Sequence, residues 1–235
     1  MRNSNYLIIT GGSRGIGEKT IALFLQQAWQ AINIARSACT LPQVSNFNID
    51  LSDPQALKPQ REALIAKLQQ ANKICVVHNA SAYQKDDILS LTEENLRSVL
   101  EIGLVAPVVL NQLIIPYMQA GSSIIYIGST LSEQAVAHRA SYVIAKHGLI
   151  GLMRATCQDL AGKSISTCCI CPGFVNTKML TDTVPHAVLD EVVQQKVTAQ
   201  RLIEPEEIAE LIYFSAMHPV VNGAVLHANL GQVMS

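Results

Sequence analysis

Tyr142 and Lys146 stand four residues apart in Tyr142-Val143-Ile144-Ala145-Lys146, the spacing that puts two side chains on one face of a helix. An ammonium group beside a phenol favours the phenolate electrostatically. That suits the tyrosine to proton transfer to or from an alcohol oxygen near neutral pH. Ser129 follows an apolar, strand-like run at 123–127, and its hydroxyl can hold the same oxygen. A lone Tyr-x-x-x-Lys occurs often on surface helices. It gains meaning from Thr10-Gly11-Gly12-Ser13-Arg14-Gly15-Ile16-Gly17 upstream, which ends the first apolar run and opens a helical pattern. Glycines there let the backbone approach a pyrophosphate, and the helix N-terminus supplies N–H donors and partial positive charge. Gly11, Ser13, Arg14, Gly15, Ile16 and Gly17 are the expected phosphate contacts.

The second apolar run ends Ile34-Ala35-Arg36-Ser37 without a carboxylate. An NAD site usually places an acidic residue there for the ribose hydroxyls. Arg36 and Arg14 instead suit a 2′-phosphate, so NADP(H) is expected over NAD(H). Asp50, in Asp50-Leu51, is placed either to accept from the adenine amino group or to cap the following helix.

The elements that must position these groups alternate along the chain. Apolar strand-like runs are expected at 6–10, 31–35, 47–49, 74–77, 123–127, 165–171 and 224–228. Helical spacing is expected at 16–28, 54–70, 92–119, 141–160 and 205–216, with Pro107 kinking the long one. Strands apolar at every residue are buried on both faces. Separated by helices, they imply a parallel sheet covered on both sides. The fold class is therefore α/β: one doubly wound Rossmann domain over residues 1–235, with about seven strands.

Taken together, these pieces identify a family. The chain resembles the short-chain dehydrogenase/reductases through Thr10–Gly17, Asp50, His78-Asn79-Ala80-Ser81, Ser129, Tyr142, Lys146 and Pro172-Gly173-Phe174-Val175-Asn176-Thr177. The resemblance implies an NAD(P)-dependent oxidoreductase acting on a carbonyl or alcohol. Tyr142 would be the general acid in reduction. Lys146 would bind the nicotinamide ribose and lower the pKa of Tyr142, and Ser129 would orient the carbonyl. Asp50, Leu51, Asn79, Ala80, Pro172, Gly173, Val175 and Thr177 would complete the cofactor site. Four positions depart from the family pattern. Ser81 replaces a glycine, Gly103 stands where a proton-relaying asparagine is frequent, Asn229-Leu230-Gly231 replaces Asp-Gly-Gly, and Trp29 occupies a helix end where glycine is common. His78 is read as a packing residue. Gly103 also motivates a different class, a nucleotide-binding regulatory protein that has lost catalysis.

Residues 177–199 would form the substrate lid. Its Met179, Leu180, Val184, Val188, Leu189 and Val192 suit an apolar body. The C-terminal half is similar to β-ketoacyl-(acyl-carrier-protein) reductases through Lys146-x-Gly148-Leu149-Ile150-Gly151 and Arg201-Leu202-x-x-Pro205-Glu206-Glu207. An acidic carrier would need a basic entrance, for which Arg97, Arg139 and Arg154 are candidates. The stretch His78–Tyr83 looks instead like pterin reductases, although those usually carry an arginine where Gly15 stands. Composition narrows the rest. The 235 residues are 49% hydrophobic and 15% charged, with net charge −1, which excludes a disordered chain and a basic nucleic-acid binder. Apolar stretches are short and no signal-peptide core precedes the first strand, so a cytoplasmic protein without a membrane partner is expected. Six cysteines are read as free thiols. Cys169 and Cys171 share one face of a strand and Cys168 the other, so no metal site is expected. A homotetramer or homodimer would be built on the helices at 92–119 and 141–160 and on the last strand, with Val105, Val108, Val109 and Leu152 contributing.

Overall fold

In the first strand, β1 (Ser4–Thr10), Leu7 and Ile9 point to one side of the sheet and Ile8 to the other, and both sides are core. The same alternation runs through the centres of the neighbouring inner strands, which is why most of their central positions are apolar. The computed structural model describes residues 4–69 and 71–233. The other strands are β2 (Gln30–Ala35), β3 (Val44–Asn48), β4 (Ala71–His78), β5 (Ser123–Ile127), β6 (Ser166–Pro172) and β7 (Val225–Ala228). All are parallel, in the order β3-β2-β1-β4-β5-β6-β7.

Helices α1 (Gly15–Gln26) and α8 (Pro205–Met217) cover one face, where Ile21, Phe24, Ile208 and Ile212 pack with Leu7 and Ile9. Helices α2 (Arg61–Leu68), α4 (Ala106–Ile114) and α5 (Ala140–Asp159) cover the other, where Leu64, Leu110, Ile114 and Met153 pack with Ile8 and Ile32. The remaining helices are α3 (Glu93–Leu100), α6 (Lys178–Thr181) and α7 (His186–Lys196). The chain reverses direction across the sheet between β1 and β4. Loops leaving the strand C-termini around that switch form the crevice where such folds bind ligands.

Two expected helices are broken, each at a proline. Residues 54–60 form turns and a 3₁₀ turn (Lys58–Gln60), and α2 begins only at Arg61. Pro59 has no N–H for a carbonyl one turn back, so a helix starting at Pro54 cannot continue. The end of that expected helix, at residue 70, lies outside the described residues. The long helix of 92–119 divides into α3, a π turn (Glu101–Val105) and α4, and closes in a 3₁₀ turn (Ile115–Tyr117). Pro107 withholds an N–H from the Gly103 carbonyl, and the backbone widens in the turn just before it.

Taken together, Glu93–Tyr117 is long enough to cross a membrane and contains an 18-residue stretch apolar enough to do so, with a mean hydropathy of 1.9. This corrects the expectation that every apolar stretch is short. Leu110, Leu113 and Ile114 are buried against the sheet, so the apolar side serves the core. Trp29 is buried edge-on to Phe24 at 5.1 Å, the structural role expected of it.

All six cysteines are free. Cys39, Cys75, Cys168, Cys169 and Cys171 are buried, and Cys157 is partly exposed. Cys169 and Cys171 lie in the core under α5, with sulfurs 3.8 Å apart, and Cys168 lies in the opposite core. Among the described residues no group of His, Cys, Asp or Glu is placed to hold a metal ion. Titration with a thiol-specific disulfide reagent should therefore modify at most Cys157 in the native protein, with the five buried thiols reacting only after denaturation. Rapid native modification of several would contradict this packing.

Candidate active site

The glycine turn is fixed from outside itself. The Thr10 hydroxyl accepts from the backbone N–H of Asn79 at 3.0 Å and of Ala80 at 2.9 Å. The Asn79 amide returns two bonds, to the Thr10 and Gly11 carbonyls, each at 3.0 Å. Those four bonds join the ends of β1 and β4 across the switch point. A side chain at Gly17 would run into the Gly11 carbonyl, and Gly15, at φ +57°, needs the left-handed conformation that glycine adopts freely. Arg14 precedes α1 without making a side-chain cap, so the first N–H groups of that helix stay available to an anion. Arg14 and Arg36 are exposed, and neither has a carboxylate within ion-pair distance among the described residues.

Asp50 lies two residues beyond β3. One of its oxygens accepts from the Ser52 N–H and hydroxyl, at 2.9 and 2.7 Å, so it caps the next turn. Those bonds, helped by Arg36, hold its pKa below the usual range. Leu51 packs on the core beside it. On the far side, Val175 is buried and bridges Ile203. Thr177 faces Gly15, with its methyl 3.3 Å from where a Gly15 side chain would begin. Gly173, next to Pro172 at the end of β6, is pinned under Asn229 and Gln232. Ser13 and Ile16 are partly buried in the turn. A bare backbone turn with an uncapped helix and flanking guanidinium groups fits a dinucleotide's phosphates.

Ser129, Tyr142 and Lys146 converge at the C-terminal end of β5. The Ser129 oxygen accepts from the Leu131 N–H at 3.1 Å and lies near enough to the Tyr142 phenol to lower its pKa. The Lys146 ammonium lies 5.5 Å from the centre of the Tyr142 ring and donates to the Ile127 carbonyl at 2.6 Å. Tyr142 and Lys146 are 8% and 5% exposed, and that burial decides their protonation. It pushes the tyrosine up to about 12, against the nearby Ser129 hydroxyl, which lowers it. It pulls the lysine down to about 8, against the nearby Cys169 and Cys171. Desolvation of the phenolate is the largest of the effects acting on Tyr142. At neutral pH the phenol holds its proton.

Three of the four departures have physical reasons. Ser81 is not among the residues with positive φ, so nothing there requires glycine. Leu230 does take the left-handed conformation, at φ +51°, and its side chain packs against two apolar clusters that offset the strain. Gly103 lies in the π turn, where a side chain would begin 3.3 Å from the Ala145 methyl. His78 is buried, stacks on Tyr126 at 5.0 Å and bonds Asn111 through Nε2 at 2.8 Å. Burial pulls its pKa down to about 4, so it is neutral and packs as expected.

The segment 177–199 contains α6 and α7. Most of its apolar residues are already used: Leu189 and Val193 are buried and pack with Leu180, Val184, Phe174 and Leu202. Met179 and Val188 remain exposed.

Two positioning groups escaped the sequence reading. Asn33, on β2, accepts from the Gly12 N–H at 2.9 Å and donates to Asn46 at 2.9 Å and to the Ser37 carbonyl at 3.2 Å. It thereby ties the glycine turn to the loop bearing Arg36. A lone polar residue in Ala31-Ile32-Asn33-Ile34-Ala35 was the available signal. Asp86 accepts from the Ser141 N–H at 3.0 Å and from its hydroxyl. It so anchors the first turn of α5, the turn that carries Tyr142.

The fold and this site define an NAD(P)-dependent oxidoreductase acting on alcohol and carbonyl groups. A family profile described as Enoyl-(Acyl carrier protein) reductase matches residues 15–232. The chain belongs to the short-chain dehydrogenase/reductase family. It is 31% identical to the 3-oxoacyl-[acyl-carrier-protein] reductase FabG of Chlamydia trachomatis, covering 95% of each chain. It is 27% identical to that of Thermotoga maritima, covering 97% of each. A 4-hydroxyisoleucine dehydrogenase complexed with NADH has the same fold, with a TM-score of 0.89 and 20% identity, covering 97% of this chain and 98% of that one.

The buried ammonium makes a stability prediction. Its pKa falls from the ordinary 10.5 to about 8 on folding, which costs about 3 kcal/mol while both states are protonated. The unfolded chain binds more protons between about pH 8 and 10.5, so this penalty fades as pH rises through that window. Lys146→Met should therefore gain most over the natural protein in urea unfolding at pH 7, and less near pH 10. A gain independent of pH would show that the lysine is not buried in its charged form.

Proposed function

We propose that the chain reduces a ketone, or oxidises the matching alcohol, with NADP(H) in preference to NAD(H), and that 3-oxoacyl thioesters are its first candidate substrates. The carrying observation is the convergence of Ser129, Tyr142 and Lys146 beside a bare glycine turn. When bound, the nicotinamide supplies or accepts the hydride. Tyr142 gives its phenolic proton to the oxygen that becomes the alcohol, and its high pKa keeps it a proton donor at neutral pH. Ser129 orients that oxygen by hydrogen bonding. Lys146 holds the ribose of the cofactor and stabilises the phenolate left after transfer.

The preference for NADP(H) is supported by the two exposed arginines, which have no carboxylate partner among the described residues, and by the absence of an acidic side chain at the end of β2. Two relatives named 3-oxoacyl-[acyl-carrier-protein] reductase support the thioester. Of the three candidate arginines for a carrier's acidic surface, Arg97 is paired with Glu93 at 2.8 Å, which leaves Arg139 and Arg154. Val105, Val108, Val109 and Ile144 form exposed apolar positions on and beside α4 and on α5. They support a homodimer or homotetramer; Leu152 packs instead against the core.

Oxidation of NADPH by an acetoacetyl thioester, followed in parallel with a dihydropterin, tests the reaction class. Tyr142→Phe should lower kcat by about 100-fold or more, the usual range for loss of a proton donor. Turnover that survives this change would overturn the mechanism. Arg36→Ala should weaken NADPH by about tenfold while leaving NADH little changed. Equal weakening of both would remove the NADP assignment.

A further inference from the structure

The loop after β4 brings Tyr83 against the catalytic tyrosine. The two rings meet edge to face, with centres 4.8 Å apart. On Tyr83 lies the guanidinium of Arg139, 4.6 Å from the ring centre, with Nε donating to the Tyr83 hydroxyl at 2.6 Å. Nη1 donates to the His138 carbonyl at 2.7 Å. Nη2 has no partner among the described residues, and no carboxylate lies within ion-pair distance of Arg139. Two neighbouring carboxylates, Asp86 and Asp87, are otherwise engaged. Asp86 spends both oxygens on Ser141, and Asp87 faces His138 at 3.6 Å. A half-buried guanidinium thus stands one aromatic ring away from Tyr142, held in orientation and without a counter-charge.

We propose that Tyr83 and Arg139 form an anion-reading wall of the substrate pocket, and that the preferred substrate is a short oxo acid with a free carboxylate a few bonds from the reacting carbonyl. This rests on the reading of Tyr142 as the proton donor; it sets a free oxo acid in place of the thioester as substrate and turns Arg139 to the pocket rather than to a carrier surface. Guanidinium presents a planar fork that matches a carboxylate. Its stacking on Tyr83 fixes the plane of that fork before the ligand arrives. A structural role for Arg139 would require only the ring contact and the His138 carbonyl. It would not leave a charged edge unpaired beside the reacting centre. A site with such a group rejects a neutral analogue, because the guanidinium is then desolvated without a partner.

The test compares each acid with its own methyl ester: acetoacetate with methyl acetoacetate, and 4-oxopentanoate with methyl 4-oxopentanoate. The acid-to-ester ratio of kcat/KM should exceed one for at least one pair in the natural protein. It should fall at least about tenfold in Arg139→Gln. It should recover in part in Arg139→Lys, and fall in Tyr83→Phe, which keeps the ring but frees the guanidinium. Loss of a merely structural contact would lower both rates and leave the ratio unmoved, and an unmoved ratio overturns the proposal. Failure to reduce any of the four compounds would count against the proposed reaction instead. The wall is then judged by calorimetric binding of acetoacetate and 4-oxopentanoate to the protein saturated with NADP. Binding abolished by Arg139→Gln supports it, and absent or unaltered binding overturns it.

Discussion

Thr10 and Asn79 carry the constraint on which the site depends. Where β1 and β4 end, their following segments leave to opposite sides of the sheet, and backbone N–H and carbonyl groups are left without strand partners. A hydroxyl and an amide satisfy four of these bonds across the gap. Buried polar groups left unpaired would each be costly, so the two loops cannot separate without losing the whole set. The glycine turn is therefore held open by residues that need not touch a ligand. Asn33 extends the arrangement one strand further, from Gly12 to the loop of Arg36. The crevice is preorganised by strand-end chemistry rather than by the loops themselves.

Burial sets the chemistry on the other side of the crevice. Spacing along α5 places Tyr142 and Lys146 together, but spacing says nothing about how much water surrounds them. With both nearly enclosed, desolvation disfavours each charged form and drives the two pKa values apart, the phenol upward and the ammonium downward. A phenol that keeps its proton and an ammonium that is only weakly basic are suited to a single event, the transfer of a proton to an oxygen whose charge is developing. Asp86 contributes from a distance by fixing where α5 begins.

What the sequence disclosed followed from how local each signal was. The fully buried strands β1, β2, β4, β5 and β6 announce themselves by apolar runs, and Tyr142 and Lys146 by a four-residue interval. β3, with Val44-Ser45-Asn46-Phe47-Asn48, shows only its end, read at 47–49, because it is an edge strand with one partner and carries polar residues that serve β2. Asp86 and Ser141 meet across 55 positions, and no local pattern encodes such a pair. The apolar residues of 177–199 read as a cover for an apolar ligand because hydrophobicity alone does not reveal that they pack on one another.

Gly103 and Pro107, which look like separate anomalies, form one device. Without a proline N–H, the Gly103 carbonyl loses its ordinary helical partner, and the chain opens into the π turn at Glu101–Val105. A widened turn pushes backbone outward toward α5. There Ala145 would lie 3.3 Å from any side chain at position 103, and Leu104 fills the space beside Gly148, where an added methyl would meet it at 2.8 Å. The two helices approach closely at that level because each contributes a glycine. An asparagine at position 103 would press on Ala145, the residue next to Lys146, which would have to give by a few tenths of an ångström. The missing relay side chain is thus the counterpart of a tighter helix contact, and the same contact helps exclude water from the lysine whose pKa burial has lowered.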